Sequence, residues 1–117
     1  MSENRAEMSV GMTGLISLLS IFGHFGIKLN QKDFLKENEA SQKDITIKQI
    51  MAISKKKTLR AEHLRPTADA LRESELPVMA LMNNGCYVVI AARTDEAVFL
   101  IDPRMEHTIS LSYKKFL

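Results

Sequence analysis

The sequence has few side chains of the kinds that ligate metals or act as nucleophiles, and their spacing does not gather them into a site. Its three histidines, His24, His63 and His107, lie far apart and share no spacing typical of metal ligands. Its one cysteine, Cys86, follows a predicted turn, where the sequence places no helix N-terminus or imidazole to activate a thiol. We therefore expect structural histidines, an inert cysteine, and no metal or other cofactor in this domain.

The lysines offer a weak signal for nucleic-acid binding. Lys55, Lys56 and Lys57 form a basic run that could contact phosphates, and three helices followed by a hairpin are typical of a winged helix. However, the third predicted helix offers little beyond Lys48 and Gln49 for reading bases. A solvated helix end explains the basic run better.

The elements that must position any site divide the chain into a helical part, residues 1–57, and a part that is mostly strands, residues 58–111. Leu15, Leu18, Leu19 and Phe22 have helical spacing and predict a buried first helix over residues 12–25. Further helices are predicted after Asn30, after Asp44 or Thr46, and from Thr67 through Leu71, with a loop at 38–43 and a last turn capped by Ser112.

Strands are predicted at 58–65, 78–82, 87–91 and 97–101, and Ile109 and Leu111 indicate one more. Asn83-Asn84-Gly85 is a strong turn signal between two of them, because Asn and Gly tolerate positive φ. Consecutive strands joined by short turns pair antiparallel by default. The sequence therefore predicts an α+β fold, with N-terminal helices packed on an antiparallel sheet.

Length and composition fit one globular domain. The chain has 117 residues, of which 45% are hydrophobic and 26% charged, and its formal net charge is +2. These values exclude global disorder and give no sign of a strongly basic nucleic-acid binder. The single cysteine excludes an internal disulfide, and the longest apolar stretch, residues 15–25, is about half the length that crosses a bilayer. We expect residues 1–117 to form one domain in the cytoplasm.

Three segments, in this order, carry a family resemblance. Residues 12–26 match the first helix of one protein family, in which that helix begins Asp-Cys-Gly. Residues 77–90 match the segment of the same family that carries a catalytic histidine, and residues 99–103 match its strand that ends in an aspartate. Together they resemble the N-terminal domain of ABC exporters that process double-glycine leader peptides, the bacteriocin-processing cysteine peptidases. The closest likeness is to the degenerate version in type I secretion transporters for RTX proteins. The resemblance covers nearly the whole chain and implies a papain-like fold.

The residues at the family's catalytic positions differ from the catalytic ones. Thr13 stands at the nucleophile position and Tyr87 at the histidine position. Near neutral pH a threonine hydroxyl without a strong base is not a nucleophile, and a tyrosine does not act as a general base. Glu7 stands where the peptidases place a glutamine that supports the oxyanion, which a carboxylate would repel. Asp102 is retained, but it has no histidine to orient and can instead begin a turn with Pro103. The resemblance therefore implies a domain without catalytic residues.

The function implied is docking of an unfolded RTX-type secretion substrate on the cytoplasmic face of the bacterial inner membrane. The partners would be that substrate and the remainder of the ABC transporter, whose ATPase and membrane helices would follow residue 117. Tyr87 is the first candidate for a substrate-binding residue, and we expect no nucleic acid and no membrane contact except through the parent protein.

Two alternatives remain open on the sequence. One is a small winged-helix DNA-binding regulator, which the predicted meander disfavours because three paired strands exceed a two-stranded wing. The other is a residual hydrolase that uses Thr13.

Overall fold

The computed structural model describes residues 8–59, 61–63, 67–105 and 107–116, and has the predicted α+β architecture. Its helices are α1 (Val10–His24), α2 (Gln31–Glu37), α3 (Ile47–Lys56), α4 (Ala68–Glu73) and α5 (Tyr113–Phe116), and its strands are β1 (Val78–Leu81), β2 (Tyr87–Arg93), β3 (Ala97–Ile101) and β4 (Ile109–Ser112). A short 3-10 turn, Glu39–Ser41, lies in the predicted loop. No helix in these described ranges is both long and apolar enough to cross a membrane.

The four strands form one antiparallel sheet in the order β1-β2-β3-β4. The hairpin between β1 and β2 turns where the sequence predicted it. Gly85 there has a φ of +88°, which a residue with a side chain rarely adopts. Its N–H donates to the carbonyl of Met82 at 2.9 Å, and the N–H of Cys86 donates to the side chain of Asn84 at 3.0 Å. The predicted meander is therefore confirmed.

Alternate residues of a strand face opposite sides of a sheet, and both sides of this sheet are apolar. On one side Tyr87 packs against α1, and on the other Val88 and Ile90 pack against α4 and α5. The first cluster also contains Leu15, Leu18, Phe22, Phe34, Ile45 and Ile50, and the second contains Leu71, Val98, Leu100 and Tyr113. The first helix is therefore buried, as its apolar pattern predicted.

Side-chain caps begin the helices where the sequence predicted them. Asn30, Thr46, Thr67 and Ser112 each accept a hydrogen bond from the backbone N–H three residues further on. Of the two caps predicted for α3, Thr46 is the one used, in a capping box with Gln49. The helix α1 begins at Val10, earlier than predicted, because Ser9 caps it.

The strand predicted at residues 58–65 is wrong in the part that the structure describes. Backbone hydrogen bonds from Thr58 to Lys55 and from Leu59 to Ser54 instead wind the chain off the end of α3. Residues 61–63 belong to no strand, and residues 60 and 64–66 lie outside the described ranges. Apolar alternation over so few residues does not outweigh the local hydrogen bonds of a helix end.

Candidate functional site

The topology brings three of the four predicted site residues to one end of the sheet. Thr13 lies in the first turn of α1, Tyr87 is the first residue of β2, and Asp102 follows the last residue of β3. Ile101 pairs with Val89, so the end of β3 lies beside the start of β2. The fourth residue, Glu7, lies outside the described residues.

The hydroxyl of Thr13 is fully engaged by the backbone. The side chain is 0% exposed, and its Oγ1 donates to the carbonyl of Val10 at 2.6 Å. The same oxygen accepts the N–H of Tyr87 at 3.0 Å. Thr13 therefore ties the first turn of α1 to the first residue of β2, and its proton is held by a carbonyl that is not a base.

The side chain of Tyr87 is also buried and hydrogen-bonded to the backbone. It is 2% exposed, and its hydroxyl donates to the carbonyl of Ile45 at 2.9 Å. Its ring lies over Gly14, where an added Cβ would stand 3.1 Å from the ring. Burial raises the pKa of the Tyr87 hydroxyl above its ordinary value of 10.0, so the phenol stays protonated at neutral pH. It cannot serve as a general base there.

The first-turn amides of α1 have partners within the chain. A helix N-terminus can hold an anion because its first N–H groups are free. Here the N–H of Gly11 donates to the carbonyl of Lys43 at 3.1 Å, and that of Met12 donates to the hydroxyl of Ser9 at 3.2 Å. The N–H of Thr13 donates to the carbonyl of Ser9 at 3.0 Å. These three donors are not available to a developing oxyanion.

Asp102 is paired with an arginine. Asp102 is 6% exposed, and its carboxylate accepts hydrogen bonds from Nη2 of Arg104 at 2.9 Å, from Nε at 3.2 Å and from the Arg104 backbone N–H at 2.9 Å. Burial alone would raise the pKa of this carboxyl, but the hydrogen bonds and charge of Arg104 outweigh burial and lower it. Asp102 therefore fixes the turn after β3, which is the structural role predicted for it.

The ion pair makes stability fall in acid. Because the pKa of Asp102 is lower in the folded than in the unfolded chain, its contribution is complete above the unfolded value, about 3.9. That contribution is lost as the pH falls through the lower folded pKa. Asp102→Asn should therefore flatten the loss of unfolding free energy below about pH 4, measured by denaturant titration. Asp69→Asn is the control, because the Asp69 side chain is 93% exposed; an equal flattening there would contradict this account.

Among the other candidates from the sequence, only Cys86 lies beside this site, because it directly precedes Tyr87. His24, His63 and His107 are exposed, and Cys86 is buried and free. Within the described ranges, no three His, Cys, Asp or Glu side chains lie close enough to hold a metal ion. That the domain needs no cofactor stays a prediction.

Two partners of the site were not found from the sequence. The sequence could have indicated Arg104, because an arginine two residues after an aspartate in a turn can donate hydrogen bonds to that aspartate. It could not have indicated Ile45, because Ile45 takes part through its backbone carbonyl, and any residue supplies that atom.

The helix packed on an antiparallel sheet, with Thr13, Tyr87 and Asp102 at one end, is consistent with a papain-like fold. The model of one family, described as the Peptidase C39 family, matches residues 5–117, so this chain belongs to that family. No curated protein and no solved structure matches the chain. The predicted resemblance is thus confirmed at the level of the peptidase family, and nothing favours the winged-helix alternative.

Proposed function

We propose that this domain is a non-catalytic member of the C39 family that docks an unfolded secretion substrate for a type I secretion ABC transporter. The observation that carries the proposal is that the polar groups of Thr13, Tyr87 and Asp102 are all committed to structural partners. A threonine hydroxyl needs an adjacent strong base to become a nucleophile, and the buried phenol beside it is not one. The site therefore lacks both halves of a nucleophile–base pair.

Retention of the fold without its chemistry is best explained if binding is the task that remains. Large exposed apolar side chains support this. Leu81, Ile101 and Met105 are 48%, 42% and 43% exposed, and all three lie at the end of the sheet where β2 begins. Apolar contact with an extended chain, together with main-chain pairing, needs no catalytic group.

By family resemblance, the substrate is an RTX-type protein that is unfolded inside the cell and folds on calcium outside. In this proposal the domain works on the cytoplasmic face of the inner membrane as part of the transporter, with an ATPase elsewhere in the parent protein. No nucleic acid and no cofactor take part. Tyr87 as a substrate contact stays a prediction, and at 2% exposure it would require the site to open.

The proposal is tested by calorimetric titration of the domain with an RTX fragment, with and without calcium. We expect roughly micromolar affinity for the unfolded, calcium-free fragment, because ordering a flexible segment consumes part of the contact energy. Binding that is equal for the calcium-folded fragment, or absent for the unfolded one, would contradict the proposal.

Two substitutions locate the surface. Ile101→Ser should weaken binding about tenfold, since loss of one apolar contact is worth roughly 1.4 kcal/mol. Phe25→Ser is the matched control, because Phe25 is 49% exposed but lies at the far end of α1. No weakening by Ile101→Ser, or equal weakening by both variants, would contradict docking at this end of the sheet.

A further inference from the structure

A short segment of the chain crosses the N-terminus of α1. We name residues 42–45 the strap. Three of its carbonyls accept hydrogen bonds from the site: that of Gln42 from the hydroxyl of Ser9, that of Lys43 from the N–H of Gly11 at 3.1 Å, and that of Ile45 from the hydroxyl of Tyr87 at 2.9 Å. The strap thus lies on the helical turn that carries the nucleophile position.

The strap is packed as well as hydrogen-bonded. A Cβ added at Gly14 would stand 2.6 Å from the side chain of Ile45, which is 5% exposed. The side chains of Lys43 and Asp44 point to solvent, while the backbone of the strap faces the helix. Carbonyl groups of the strap therefore occupy the donors of Ser9, Gly11 and Tyr87.

We propose that the strap closes the degenerate peptidase site against peptide and that the Tyr87 hydroxyl is its latch. The hydroxyl stands at the far end of the ring, where it reaches Ile45, and a histidine at this position has no such oxygen. The residue that deprives the site of a base thus also holds the strap shut. This closure does not depend on what the domain binds elsewhere.

The closure is measured by placing a thiol in the helical turn that the strap crosses. In a Cys86→Ser background, Thr13→Cys supplies the only thiol of the chain, at a position that is 0% exposed. Labelling by a small thiol reagent should be slow, and Tyr87→Phe should accelerate it about tenfold, because loss of a buried hydrogen bond raises the population of the open state. Rapid labelling while Tyr87 is intact would overturn the proposal.

Tyr113→Phe is the matched control. Tyr113 is 6% exposed, and its hydroxyl also donates to a backbone carbonyl, that of Thr94 at 3.2 Å, but on the opposite side of the sheet. It should leave the labelling rate unchanged. Acceleration as large as that of Tyr87→Phe would mean general loosening and would overturn the latch.

Hydrogen exchange gives the second readout and needs no change at Thr13. It therefore tests whether Tyr87 holds the strap closed even if the cysteine variant does not fold. In Tyr87→Phe alone, the Gly11 amide, which is bonded to the strap, should exchange about tenfold faster, while the amide of Val98 in β3 keeps its rate. Equal acceleration at Gly11 and Val98, or none at Gly11, would overturn the proposal.

Discussion

Gly11→Ala is expected to destabilise the domain by about 3 kcal/mol or more, because the added methyl group meets backbone that cannot move aside. Its Cβ would lie 2.0 Å from the carbonyl oxygen of Ser41 and 2.7 Å from the backbone nitrogen of Asp44. Relief of that clash would push the strap off α1 and break the hydrogen bond from Gly11 to Lys43. The change is measured as a shift in the midpoint of denaturant unfolding.

Gly23→Ala is the control in the same helix, and it should change stability in the opposite direction. Nothing lies within 4 Å of a Cβ at Gly23, which is exposed inside α1. Alanine there should stabilise the domain by roughly 0.5–1 kcal/mol, since glycine is the poorer helix former. If both variants shifted the midpoint in the same direction, the contact between the strap and α1 would not be as described.

Leu18→Ala should cost about 2–5 kcal/mol of unfolding free energy, because it leaves a cavity in the cluster between α1 and the sheet. Leu18 is 2% exposed and packs in the same cluster as Phe22 and Tyr87. The free energy of unfolding of a domain of this size is small, so the variant should be partly unfolded at room temperature.

The neighbouring Leu19→Ala is the matched comparison. Leu19 is the same residue type on the same helix, but it is only half-buried at the margin of that cluster. Its loss should cost about 1 kcal/mol, in proportion to the smaller apolar area removed. Equal costs at Leu18 and Leu19 would show that α1 is not seated on the sheet through the face described here.

The order of the helices and strands could be predicted because most of them have a local sequence pattern. The apolar stripe of α1, the turn at Gly85 and the caps at Asn30 and Thr46 depend on residue type, and sequence reasoning finds them. The strand predicted at 58–65 failed because its signal was a weak alternation next to a strong helix end.

The site could be predicted only in part. The placement of Thr13 and Tyr87 near one another followed from the family resemblance, and the structure joins them by a hydrogen bond of 3.0 Å. The partners that occupy their hydroxyls are the carbonyls of Val10 and Ile45. Backbone acceptors leave no trace in residue types, so the partners of these two hydroxyls become visible only in three dimensions.

Whether the residues at the catalytic positions serve the fold and not chemistry is decided by incubating the domain with a double-glycine leader peptide and analysing the mixture by mass spectrometry. We expect intact peptide, because the Thr13 hydroxyl donates to the carbonyl of Val10 and has no base beside it. Specific cleavage after the glycine pair that disappears in Thr13→Ala would contradict this expectation.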